Sequence, residues 1–131
     1  MMPRRNILAL GAALVLLAPA LAHAEAEKNK KPPYLSISGL GATIVRWQGG
    51  HGVMTVDAGI DVPDPALRDY ADLVLPRLKD AYARTLQDYA GNLQPGAVPD
   101  ADYMARKLQQ ATDRILGKPG ARLLLGGIMV N

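Results

Sequence analysis

Between Pro63 and Gly91 the chain runs PDPALRDYADLVLPRLKDAYARTLQDYAG. Leu67, Tyr70, Ala71, Val74, Leu78, Ala81, Tyr82, Leu86 and Tyr89 recur at steps of three and four residues. That spacing sets them along one side of an α-helix, while Arg68, Asp69, Asp72, Lys79, Asp80, Arg84 and Asp88 mostly fall on its other faces. A stripe of this length must be buried, and in 131 residues the only available partners are the strand-like segments on either side of it. Asp64 is placed to cap the helix, and Pro65 sits at the first helical position, where its missing N–H costs nothing. Pro76 clashes with the carbonyl of Asp72 and removes one helical hydrogen bond, which predicts a kink or break near Leu75. The apolar register runs on through that point and favours a kink. Gly91-Asn92 reads as the C-cap.

The segment before the helix is strand-like. YLSISGLGATIVRWQ (34–48) opens with alternation, Leu35 and Ile37 on one face against Ser36 and Ser38 on the other, and continues through Thr43, Ile44, Val45 and Trp47. Gly39 and Gly41 predict a bulge or bend. Gly49-Gly50-His51-Gly52 reads as a turn and VMTVDAGIDV (53–62) as the returning strand, giving an antiparallel hairpin.

After a QPGAVP loop, Asp100 caps a second helix with Met104, Leu108, Ala111 and Ile115 inward. ARLLLGGIMV (121–130) is a final strand. Its near-continuous apolar run predicts burial on both faces and a central place in the sheet, with a bulge at Gly126-Gly127. The order β–β–α–α–β is an α+β architecture: a small twisted antiparallel or mixed sheet with helices packed on one face.

The first 24 residues, MMPRRNILALGAALVLLAPALAHA, have the layout of an export signal: Arg4 and Arg5, an apolar run from Ile7 to Ala18, and an Ala22-His23-Ala24 cleavage box. Arg4-Arg5 also resembles the twin-arginine motif. A bilayer-spanning helix needs ~20 apolar residues, so a cleaved signal and a periplasmic location are expected, with an inner-membrane anchor as the alternative. Glu25 to Pro33 is a polar linker, and residues 34–131 form one domain.

Removing Arg4 and Arg5 leaves 13 basic against 12 acidic side chains, and the one basic cluster, Lys28, Lys30 and Lys31, lies in the linker. A nucleic-acid partner needs a clustered cationic face and is not expected. With no cysteine there is no disulfide framework, thiol nucleophile or thiolate metal site. His51 is the single histidine after the leader and could form a metal site only by recruiting Asp57, Asp61 or Asp64. Ser36 and Ser38 have no histidine at strand spacing, and the helix carboxylates lie among basic partners, as in Asp80–Arg84. No cofactor, metal or catalytic set is expected. Tyr70, Tyr82, Tyr89 and Tyr103 read as core or rim aromatics. Trp47 has two readings: packing over the helices, or, with Arg46 and His51 at the hairpin end, anchoring a partner or a lipid interface.

From Tyr34 to Asn131 the chain resembles the periplasmic domain of the flagellar basal-body protein FliL. The resemblance rests on the opening YLSISGL strand, VMTVDAGIDVPDP leading to an acidic cap, LPRLKDAYARTL, ARKLQQATDRIL and the terminal LLLGGIMVN. It implies a sheet-and-helix domain related to the stomatin/prohibitin type. It also implies a non-catalytic role beside the flagellar motor and its stator, through protein contacts and with possible homo-oligomers. A periplasmic ligand- or lipid-binding module unrelated to flagella is the alternative.

Overall fold

In the computed structural model, which describes residues 32–131, the alternating segment forms β1 (Tyr34–Val45) and returns as β2 (His51–Asp61). The export leader and the linker up to Lys31 lie outside the described residues. The strands pair antiparallel from Tyr34↔Asp61 to Val45↔His51, with a register shift between Ile37 and Leu40 that places the expected bulge at Gly39. The turn falls earlier than the glycine run suggests. Arg46 N–H donates to Gly50 O at 3.0 Å, Gly49 N–H donates to Arg46 O at 3.1 Å, and Gly49 and Gly50 take φ of 93° and 76°. Two residues at positive φ suffice to reverse the chain, so His51 and Gly52 are free to join the ladder opposite Val45 and Ile44.

The long amphipathic stretch becomes two helices, α1 (Pro65–Leu73) and α2 (Leu75–Gly91), separated by Val74 at φ −97° and ψ 16°. Pro76 therefore breaks the helix rather than merely bending it, yet Val74 N–H still donates to Tyr70 O and Leu78 N–H to Val74 O. Leu67, Ala71, Val74, Leu78, Tyr82, Leu86 and Ala90 stay on the buried side across the break. Asp64 caps α1 as expected, its carboxylate accepting from Leu67 N–H at 3.2 Å. α2 ends at the expected cap: Asn92 is the C-cap, at φ −100°, and its side-chain amide donates to Asp88 O at 2.8 Å. α3 (Ala101–Leu116) is capped by Asp100 and ends at Gly117 in the left-handed conformation.

The last strand, β3 (Arg122–Val130), pairs antiparallel with β2 alone, giving the sheet order β1-β2-β3. The expectation of a central β3 is corrected, because β2 takes the centre. Once β1 and β2 have paired as a hairpin no strand can enter between them, so β3 adds outside, against β2, and is an edge. Half of its apolar side chains consequently point away from the helices, and Leu124 and Met129 are 39% and 61% exposed. The expected irregularity is present, as a register shift between Val56 and Ala58 opposite Leu125 and Ile128.

All three helices pack on one face of the sheet, which makes the fold α+β. Ile37, Met54, Val56 and Ile60 from the strands meet Leu78, Tyr82, Leu86, Met104 and Leu108 from the helices, all essentially without solvent contact. Each such side chain contributes ~1.5–3 kcal/mol of burial free energy, which fixes the two layers on each other. Thr112 is buried where the apolar pattern pointed to Ile115, which is only half-buried.

Both edges of the sheet receive a glutamine from the helix layer. At β1, Gln87 Oε1 accepts from Thr43 N–H at 3.1 Å and its Nε2 donates to Thr43 O at 3.4 Å. At β3, Gln109 Oε1 accepts from Leu123 N–H and its Nε2 donates to Ala121 O, both at 2.8 Å. A primary amide carries a donor and an acceptor side by side, as a neighbouring strand does, so each glutamine satisfies one open backbone site.

Candidate functional site

The hairpin tip, the α2–α3 loop and the end of β3 meet at one end of the molecule. Inward-facing Ile44 and Val130 form one wall of a groove of about 850 Å³, and Leu93 and Val98 of the loop form the opposite wall. Trp47 stands at its rim, 81% exposed, and Val98 is 89% exposed. Trp47 is thus not packed over the helices, which corrects that expectation. β1 ends at Val45 and the chain turns from Arg46, so Trp47 lies in the turn beyond the strand and stays exposed. The loop reaches the indole at Gly96, which sits at φ 77° and where an added Cβ would come 3.1 Å from the Trp47 Cβ. Glycine is required there by both the backbone angle and the close approach.

Arg46 precedes Trp47 in the turn, His51 lies opposite Val45 at the start of β2, and both are exposed. Arg46 Nε donates to the main-chain oxygen of Asn131 at 3.2 Å, tying the hairpin to the end of β3. The three residues expected at a contact surface therefore share one exposed tip. The groove beside them was not legible: Val98 reads as a loop residue and Val130 as a buried strand residue, and Leu93 carries no signal of its own. Only the isolated valine in QPGAVP hinted at an apolar surface.

His51 does not approach Asp57 or Asp61. Asp57 and Asp61 lie six and ten residues along the same strand, which at ~3.3 Å per residue is ~20 and ~33 Å away. Among the described residues no group of three His, Cys, Asp or Glu side chains is placed to hold a metal ion.

A second depression of about 410 Å³ runs between α2 and α3 on the outer side, lined by polar groups that include Asp88, Lys107 and Arg114. Tyr89 and Tyr103 stack across its end with centroids 5.7 Å apart, and Lys107 Nζ stands 5.6 Å from the Tyr103 ring. These are rim aromatics covering helix ends, with Tyr89 also accepting from Asp100 N–H through its hydroxyl. Tyr82 is the core member of the set. Burial pushes its pKa up, and the charge of Asp113 adds to that.

The tip combines an exposed indole and an apolar groove, with Arg46 as the one charged side chain lining it. No protein-family model matches this chain, and no curated protein is significantly similar to it.

Proposed function

We propose that this chain is an exported, non-catalytic domain that works through protein–protein contact at its hairpin tip. The carrying observation is Trp47, 81% exposed beside an apolar groove, since an unpaired indole at the surface is the residue type that most often dominates an interface. Arg46 and His51 complete the contact surface. The export leader supports a periplasmic site of action, the signal being cleaved after Ala24. Among the described residues no helix is long and apolar enough to cross a membrane.

The FliL resemblance gives this contact role a setting beside the flagellar motor, with stator components as partners. Its support is the agreement between the element order here and the sheet-and-helix domain the resemblance implies. The test is swimming in a clean deletion strain with flagella counted by electron microscopy. Intact flagella with impaired swimming, restored by the wild-type gene but not by Arg46→Glu with Trp47→Ala, is the expected result. Normal swimming overturns the motor setting.

A second reading, an apolar ligand or envelope lipid in the same groove, draws on its volume of about 850 Å³, which lies within the ~300–1,000 Å³ usual for ligand pockets. Lipid retained in native mass spectra and lost in Val98→Asp would favour it over a protein partner.

A further inference from the structure

Closure of the β3 edge is incomplete. Gln109 occupies the backbone groups of Leu123 and Ala121 at the start of the strand. Further along, Asn131 N–H donates inward to Val53 O at 3.1 Å. Backbone groups alternate direction along an antiparallel strand, so those of Ile128 and Val130 face away from β2. Among the described residues no hydrogen bond reaches them. The side chains of these same two residues line the tip groove. An open row of donors and acceptors thus borders an apolar trough.

We infer that the second half of β3 receives an extended segment of a partner protein as a fourth strand, whose alternate side chains lie beside Ile128 and Val130 at the margin of the groove. This rests on the protein-contact reading and specifies the form of the partner. Main-chain pairing supplies the attachment and the groove selects apolar residues at every second position. The bulge at Gly126-Gly127 and the Gln109 clamp before it limit the added strand to the short stretch opposite Ile128 to Val130.

Charge decides between occupants. Arg46 is the only charged side chain lining the groove; His51 lies opposite Val45 at the start of β2 and does not line it. No carboxylate side chain lines it. A second copy would bring another Arg46 and no carboxylate of its own tip, and the chain's own linker would bring Lys28, Lys30 and Lys31. An occupant with a glutamate or aspartate between apolar residues is complementary where both of these are not.

The test uses the full chain, ¹⁵N-labelled, and a blocked heptapeptide alternating valine with threonine and glutamate. Amide shifts confined to Gly126–Asn131 and Leu93–Val98, with at least tenfold slower hydrogen exchange at Ile128 and Val130 in the presence of peptide, are expected. A peptide with lysine in place of glutamate should bind several-fold more weakly. Val130→Pro removes an N–H that no residue of the chain uses, so it should leave the melting temperature within a few degrees and abolish peptide binding. Shifts elsewhere, no shifts at millimolar peptide, or unchanged binding by Val130→Pro would overturn the inference. So would slow, concentration-dependent exchange at Ile128 and Val130 without peptide, because a second copy would then occupy the edge. Failure here with a swimming defect still dependent on Trp47 would remove the strand-addition mode and leave the contact surface standing.

Discussion

The Tyr82 hydroxyl on α2 hydrogen-bonds Thr112 Oγ1 on α3, and both residues are shut off from solvent. Thr112 Oγ1 also lies 2.8 Å from Leu108 O, which can only accept, so Thr112 spends its proton there and Tyr82 is the donor of the pair. The two partners are then unequal. In Thr112→Val the tyrosine hydroxyl keeps its burial and loses its acceptor, which costs ~1–3 kcal/mol. Tyr82→Phe removes the donor but leaves the Thr112 proton satisfied, and should cost only ~0.5–1.5 kcal/mol. Urea unfolding of both variants, with Thr112→Ser as the control that retains the hydroxyl, checks the order.

The same pair makes stability depend on alkaline pH. Burial holds the Tyr82 pKa above its ordinary value of 10.0, so the native state keeps a proton that the unfolded chain gives up from that pH onward. Fewer protons are bound in the unfolded state, and stability falls as pH rises. The contribution is fully present below about pH 10 and is lost as pH climbs towards the native pKa. Urea midpoints from pH 8 to 11.5 should decline more steeply in the wild type than in Tyr82→Phe; parallel curves would show that Tyr82 does not carry the effect.

Gln109→Leu should be more damaging than Gln87→Leu, although each removes one edge clamp. The Gln109 amide is part-buried and makes both backbone bonds at 2.8 Å, whereas the Gln87 bonds are exposed, at 3.1 and 3.4 Å. Water can replace Gln87 on Thr43 but replaces Gln109 poorly, so ~1–3 kcal/mol is expected for Gln109→Leu and under ~1 kcal/mol for Gln87→Leu. Hydrogen exchange at the Leu123 amide should accelerate in Gln109→Leu and remain unchanged in Gln87→Leu.

Trp47 is the only tryptophan in the chain, which makes its fluorescence a direct reading of the tip. With 81% of the residue exposed, emission from the native protein should resemble that of an indole in water and shift little on unfolding. Iodide should quench it readily in the native state. A blue emission that moves to the red on unfolding would contradict the exposed placement.

The Arg84–Asp80 pair should matter little. Its atoms are 2.8 Å apart, but the side chains are 78% and 61% exposed. An i,i+4 pair in that environment contributes ~0.3–0.5 kcal/mol at low salt, so Asp80→Asn should shift the urea midpoint barely and not at all at high salt.

Local signals in the chain were enough to determine which segments are strands and which are helices. Asp64-Pro65 and Asp100 fix helix starts through backbone chemistry, and the three- and four-residue recurrence from Leu67 to Leu86 fixes the buried side. Gly39 marked a bulge because few other residues adopt its φ of 78°. These effects act within a few residues, so one segment at a time is sufficient to read them. The place of β3 was decided elsewhere. Its apolar run is compatible with the centre or the edge of a sheet, and the choice follows from which side of β2 remained free after the hairpin closed. Trp47 is similar: a tryptophan after a strand packs inward or projects outward according to where the chain turns, and here it turns at Arg46. The Tyr82–Thr112 bond, the glutamine clamps and the tip groove join residues 30, 44, 14 and some 80 positions apart. Contacts at such separations leave no periodicity in the sequence, and the packing of the helices on the sheet alone brings them together.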